Sequence, residues 1–317
     1  VGFSAPATIV RFTKDHKIPY GIQNSLAVEM QPLRDSVLSI SYLRTHGVHL
    51  GSFFNINQPA PSGQVLVHDS KGDAGLKNTF FAAPGIPGAA NPNYFIYFEA
   101  DSRWYSEFDG LLVDFNKRIR HHIGYGLSYT WSKGLDNGPN PSFVLIPQDS
   151  GNFGAEKALS ADHAAHRFTG NATITGPTKL NPVLNEWQLS TIVTIESPHY
   201  FTKFAGFDAN GDGFPLNDRV GIEPRNTFRG DSYQSVDVRV SRSFHMTEKA
   251  SLQAIAEGFN VTNTVNVRFF NTVYGAPDFI PAGTPGTFLE GSPNPGYGTP
   301  RAVFNPRQIQ FALRLIF

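Results

Sequence analysis

Oxygen-bearing side chains recur at alternate positions in Asp208-Ala-Asn210-Gly-Asp212-Gly213. Ligands at positions one, three and five, with glycine at six where the chain must turn sharply, open an EF-hand-type calcium loop. Such a loop closes on a bidentate carboxylate at position twelve. Here that position is Arg219, and Asp218 stands one place early. Two readings stay open. One is a calcium (Ca2+) site built from Asp208, Asn210, Asp212 and Asp218. The other is an Asx/Gly-rich turn that shapes a loop without an ion. The sequence indicates no other cofactor.

Other residues of chemical interest have blander readings. Asp162, His163 and His166 are metal ligands by type, but they stand at a strand start beside Arg167, and a structural or surface role is expected. His121-His122 reads as a solvated turn pair. Arg229-Gly230-Asp231 has the letters of an adhesion tripeptide and is read as chance. Asn171-Ala-Thr173 and Asn260-Val-Thr262 match glycosylation sequons but fall in predicted strands. No nucleophile elbow, phosphate loop or zinc-protease motif occurs, and no enzymatic activity is expected.

The elements that must carry these residues are strands. The last eleven residues, Arg307 to Phe317, place Ile309, Phe311, Leu313, Leu315 and Phe317 on one face. Gln308, Gln310, Ala312 and Arg314 fall on the other. An apolar-out, polar-in alternation of roughly 9–11 residues is what a membrane-spanning β-strand requires. Residues 122–133 repeat the pattern most cleanly: Ile123, Tyr125, Leu127, Tyr129 and Trp131 oppose Gly124, Gly126, Ser128 and Thr130. Further strands are predicted at 21–31, 36–46, 104–117, 164–175, 186–197, 229–244 and 250–262. That gives nine with the terminal strand. Aromatic belts are the reading of Trp104, Tyr105, Tyr129, Trp131 and Trp187.

The connections alternate short and long. Long stretches rich in glycine, proline and asparagine fill 47–103, 134–163, 198–228 and 263–305, and turns join the rest. The expected fold is therefore all-β: an antiparallel transmembrane β-barrel portion of about nine strands, with long extracellular loops and short periplasmic turns. The expected place is the bacterial outer membrane, against outer-membrane lipid. Composition agrees. The 317 residues include 27 Phe, 30 Gly and 23 Pro, no cysteine, and a net charge of zero with 16% charged residues. Disulfide and thiol chemistry are excluded, and no basic footprint points to nucleic acid.

Single-chain bacterial barrels usually have even strand numbers, and an unpaired edge in lipid is prohibitive. The nine strands are therefore expected to be the C-terminal part of a larger barrel, with further strands upstream of Val1. Asp237, Arg239, Glu257 and Arg314 are expected to face the lumen, where such charges pair with one another or with a plug.

Several segments resemble TonB-dependent outer-membrane receptors, in particular the Oar-like group. They include Thr45-His46-Gly47-Val48-His49-Leu50, Asp162-His163-Ala164-Ala165-His166-Arg167-Phe168, and Asp208 to Gly213 with Asn217-Asp218-Arg219. Arg225-Asn226-Thr-Phe-Arg-Gly230, Ser235-Val-Asp-Val-Arg239 and Ala256-Glu257-Gly258-Phe259-Asn260 follow. The resemblance implies a 22-stranded barrel around a plug domain, driven through the TonB complex by an N-terminal segment that this sequence does not include. It implies an assembly signal in Phe311, Leu313, Leu315 and Phe317, read by the outer-membrane assembly machinery. It also implies uptake of a ligand gathered by the outer loops. Gly258 stands where the family more often has an aromatic. Rival readings are an outer-membrane adhesion or binding protein without transport, and a soluble β-sandwich acting on carbohydrate.

Overall fold

The computed structural model describes residues 7–58, 61–69, 76–81, 91, 93–138, 146–177, 185–206, 208, 210–212, 214–220, 223–247, 250–274, 288–291 and 295–317. Nine strands form one meander: β1 (Tyr20–Met30), β2 (Ser36–Asn55), β3 (Tyr94–Arg120), β4 (Ile123–Asp136) and β5 (His166–Thr175). Then come β6 (Trp187–Glu196), β7 (Tyr233–His245), β8 (Ser251–Phe259) and β9 (Gln308–Ile316). Each pairs antiparallel with the next in sequence. Among the described residues, β1 and β9 each have one strand neighbour and end the sheet. No described helix is long and apolar enough to cross a membrane.

The short turns have visible causes. His121 and His122 link Arg120 to its partner Ile123, with φ of 48° and 73°. Positive φ at both central residues is the twist that a two-residue hairpin favours, usually supplied by Asn-Gly. Between β1 and β2, the Ser36 hydroxyl donates to the Leu33 carbonyl at 2.7 Å and accepts from the Leu33 N–H at 3.1 Å.

Register puts the apolar residues on one continuous outer face. Leu26, Tyr42, Leu111 and Trp131 are successive cross-strand partners. Farther along, Ala254 pairs Leu313 and Ala256 pairs Phe311. This face is bare: Leu26 is 71% exposed, Phe311 80% and Leu313 74%. Bare apolar area on this scale marks a surface built for an apolar solvent. The inner face is small and polar. A Cβ at Gly126 would stand 2.7 Å from Asn116 Oδ1 and 2.8 Å from Asn171 Nδ2. That glycine is what lets two amide side chains lie across β4.

The predicted loop at 47–103 is largely extended chain. β2 and β3 run for 20 and 27 residues, about two to three times what a membrane crossing takes, so both project beyond the lipid band. The register slips between Gly47 and Ser52, where β2 leaves the membrane pattern and period-two alternation fails. The hydrophobic core lies out there. Ile96, Phe98, Ile146 and Phe214 are buried together, with Phe53 packed against them. Trp104 belongs to this layer as well. It is 3% exposed, and Gly138 lies so close to its ring that an added Cβ would stand 2.2 Å away. Its assignment to an aromatic belt is thus corrected. Tyr129 and Trp131 do lie exposed on the outer face. The strand predicted from residue 229 begins at Tyr233, because Phe228–Arg229 pairs with Tyr200–Phe201 in a separate two-stranded piece.

Candidate functional site

The long connections fold onto the projecting ends of β2 and β3 and make a packed outer platform. Phe214 holds the 208–218 segment to it, edge-to-face on Phe98 at 6.4 Å. Gln58, just past β2, donates from Nε2 to Asp212 Oδ2 at 2.8 Å and to the Gln148 carbonyl at 3.1 Å. Three connections therefore meet at one amide.

The sequence pattern becomes a cluster. Carboxylate oxygens of Asp208, Asp212 and Asp218 lie within 4.8 Å of one another. Asp212, Asp218 and Asn210 are fully buried. Asn210 Oδ1 accepts from the Asp212 N–H at 2.9 Å, and Asp212 Oδ1 accepts from the Phe214 N–H at 2.8 Å. The Asn210 amide donates to the Gln148 carbonyl at 3.1 Å. Loss of solvent pushes the Asp212 carboxyl up to about 7. The Phe214 N–H pulls it down, the Asp208 charge adds to the rise, and Gln58 and Asn210 oppose it. Three carboxylates this close cannot all stay ionised without a compensating positive charge. A proton on Asp212 supplies one; a hard cation with oxygen ligands would supply more.

Arg219, the residue that breaks the calcium pattern, has another task. Its Nη1 donates to both oxygens of Glu156, each at 2.9 Å. Glu156 is 1% exposed and sits at the end of a 3-10 turn, Phe153–Glu156. Arg225 donates from Nε and Nη2 to the Glu156 carbonyl at 3.1 and 2.8 Å, and pairs with Asp136 at the tip of β4. Two buried guanidinium groups thus face two carboxylates, and the set ties the tip of β4 to the β4–β5 and β6–β7 connections. Asn226, at φ 55°, donates to the Leu159 carbonyl at 2.7 Å. Arg219, Arg225 and Asn226 lie within segments that carry the family resemblance. Glu156 and Gln58 carried no local signal, because their partners are 63 and 154 residues away in sequence.

On the inner face, Arg239 and Glu257 are cross-strand partners 3.5 Å apart. Gln310 donates to Glu257 Oε2 at 2.5 Å, so one polar ladder runs from β7 to β9. Asp237 is not part of it. Its Oδ1 accepts from Ser235 Oγ at 3.0 Å and from the Asn260 N–H at 2.8 Å, pinning the outer end of β8. Arg314 is exposed, opposite Gln253, and does not join the ladder. Phe311, Leu313, Leu315 and Phe317 stand along β9 and its end, exposed on the apolar face. His163 Nδ1 accepts from the Gly134 N–H at 3.3 Å, and its ring stacks on Tyr200 at 6.0 Å. Burial lowers its pKa, with His199 and Lys133 adding to the fall. His166 Nδ1 lies 2.8 Å from the Tyr129 hydroxyl, away from His163's partners.

Known proteins bear on this architecture at the level of fold. The outer membrane transporter YddB from Escherichia coli superposes with a TM-score of 0.58 over 99% of this chain at 10% identity. The ferric enterobactin receptor PfeA from Pseudomonas aeruginosa, as its G324V mutant, gives 0.50 over 94% at 10% identity. The chain spans only 34% and 31% of those two proteins. No curated protein matches it. The family model described as outer membrane beta barrel domain matches residues 1–220 and 207–310. A bare apolar face around a polar inner one is the architecture that family requires, and the chain accordingly belongs to the outer membrane β-barrel domain family, with its place in the bacterial outer membrane.

Proposed function

We propose that this chain is barrel wall and outer platform of a TonB-dependent receptor that captures a ligand outside the cell and passes it inward. The observation that carries the reading is where the core sits. The buried hydrophobic cluster and the Glu156–Arg219–Arg225 network lie beyond the membrane band, on the side of the long connections. A simple pore needs no such investment, because its wall strands already satisfy their backbone. A receptor does, because its binding loops must hold their shape before the ligand arrives. The likeness of fold to YddB and PfeA supports it. The inner ladder of Arg239, Glu257 and Gln310 would face a plug or water in the intact protein, and Phe317 would serve assembly. The reading is non-catalytic.

The test compares culture medium depleted by cells with and without the intact protein, each in TonB-competent and TonB-deficient strains. Compounds whose removal needs both the protein and TonB support the reading. Compounds that gather at the cell surface whether or not TonB is present would instead assign a binding or adhesion protein.

A further inference from the structure

The outer face of the sheet is not uniform. Near the platform, Tyr42, Leu111, Trp131, Leu159 and Ala165 line an apolar groove of about 550 Å³, with Asp109 and Lys133 also on its wall. Tyr42, Leu111 and Trp131 form one cross-strand row, and Arg44, Asp109 and Lys133 form the next row outward. Depth follows from strand geometry. From Ile123 to Trp131 the outward side chains of β4 are apolar or aromatic, spanning about 20 Å of height at a barrel's tilt. Lys133 is the next outward residue and so stands where headgroups begin. The Asp109 carboxylate is already engaged: Tyr42 donates to it at 2.5 Å and Arg44 lies 3.9 Å away. One row higher, Glu107 faces His46 at 3.8 Å. Among the described residues Lys133 makes no ion pair.

We propose that this groove is a lipid site. It seats an acyl chain of a phosphorylated glycolipid of the outer leaflet, and Lys133 and Arg44 hold its phosphate. The groove is continuous with the face that outer-membrane residence already covers with lipid, and its cations lie at phosphate depth. Anionic headgroups gain from each lysine or arginine held near them. The inference rests on membrane residence alone, so it stands or falls independently of transport.

The test uses the intact protein, purified in mild detergent and stripped of lipid. It is titrated with bis-phosphorylated lipid A, with the dephosphorylated glycolipid and with phosphatidylglycerol, and bound mass is read by native mass spectrometry. Wild type should retain lipid A. Lys133→Gln with Arg44→Gln should weaken retention about thirtyfold. Ala165→Trp, which fills the groove and keeps the charges, should weaken it comparably. Heat-modifiable migration on a gel shows that each variant is folded. Equal retention by wild type and variants would mean ordinary annular lipid and overturn the site. So would equal binding of phosphatidylglycerol, or a bound mass equal to a second copy of the chain.

Discussion

Asp212 concentrates the chemistry of the outer loop in one proton. Its folded pKa of about 7 lies above the ordinary 3.8, so the folded loop binds a proton that the unfolded chain releases. The sign follows: the proton's contribution is full below about pH 4 and is lost as pH rises towards 7. Hydrogen exchange of residues 208–218 should therefore be slower at pH 5 than at pH 8, and Asp212→Asn should flatten that difference. Millimolar calcium separates the two readings of the cluster. If the site takes the ion, calcium at pH 8 restores the protection and Asp212→Asn abolishes the response; if calcium changes nothing at pH 8, the carboxylates are a protonated turn. Arg219 offers a second residue-scale expectation. Arg219→Met leaves Glu156 buried without its main partner, a loss of roughly 3–5 kcal/mol in comparable pairs. Limited proteolysis should then cut the 146–225 region much faster. Glu156→Gln combined with Arg219→Met should recover part of the loss, and equal cutting of wild type and single variant would remove the network from any role in holding the platform.

The membrane-crossing parts of the strands are legible because lipid on one side and water on the other impose period two on each crossing; the outer extensions of β2 to Asn55 and of β3 from Tyr94 are not. Residues 122–133 were predicted and Ile123–Asp136 is observed. Residues 307–317 were predicted and Gln308–Ile316 is observed. Legibility ended where lipid ended. Past Gly47 protein covers much of β2, and by Phe54 and Asn55 successive residues are both buried, so alternation no longer reports burial, and Trp104 was misplaced for that reason. The acidic cluster was visible because its residues lie within eleven positions. The partners that hold it, Gln58 and Gln148, come from other connections and left no local trace. The same period-two logic makes a sharp element-scale prediction. Leu127 faces outward near the middle of β4 and Ser128 faces inward. Leu127→Arg should cost about 2–4 kcal/mol, as a midplane lipid-facing charge does, whereas Ser128→Arg should be tolerated far better. Denaturant titration of protein folded into lipid vesicles measures both. Equal penalties would mean that the assigned faces are wrong. At the β3–β4 turn, His121→Asn with His122→Gly should raise stability by a few tenths of a kcal/mol, since those residues take positive φ at lower cost.

At the scale of the whole molecule the open question is what lies beyond the two ends of the sheet. β1 and β9 each present an edge of backbone donors and acceptors that no other described residue pairs. Hydrocarbon does not leave such an edge unsatisfied. Two solutions exist: the edges meet and close a nine-stranded barrel, or other strands pair with each. The fold superposes on about a third of YddB while covering nearly all of this chain, which favours the second. The sequence provides a clean probe, because it contains no cysteine. Ser25→Cys on β1 and Gln310→Cys on β9 place one thiol on each edge strand. A disulfide needs Cα atoms within about 7 Å, a spacing that only directly paired strands provide. In the intact protein, folded in outer membranes and oxidised, the double variant should keep two free thiols that react with a maleimide reagent. A cross-linked band, shifted on a non-reducing gel and lost on reduction, would show that β1 and β9 pair directly. That result would make the nine strands a closed barrel of their own. It would also shrink the lumen below what a plugged receptor encloses, since barrel diameter grows roughly with strand number, and the transport reading would fall with it.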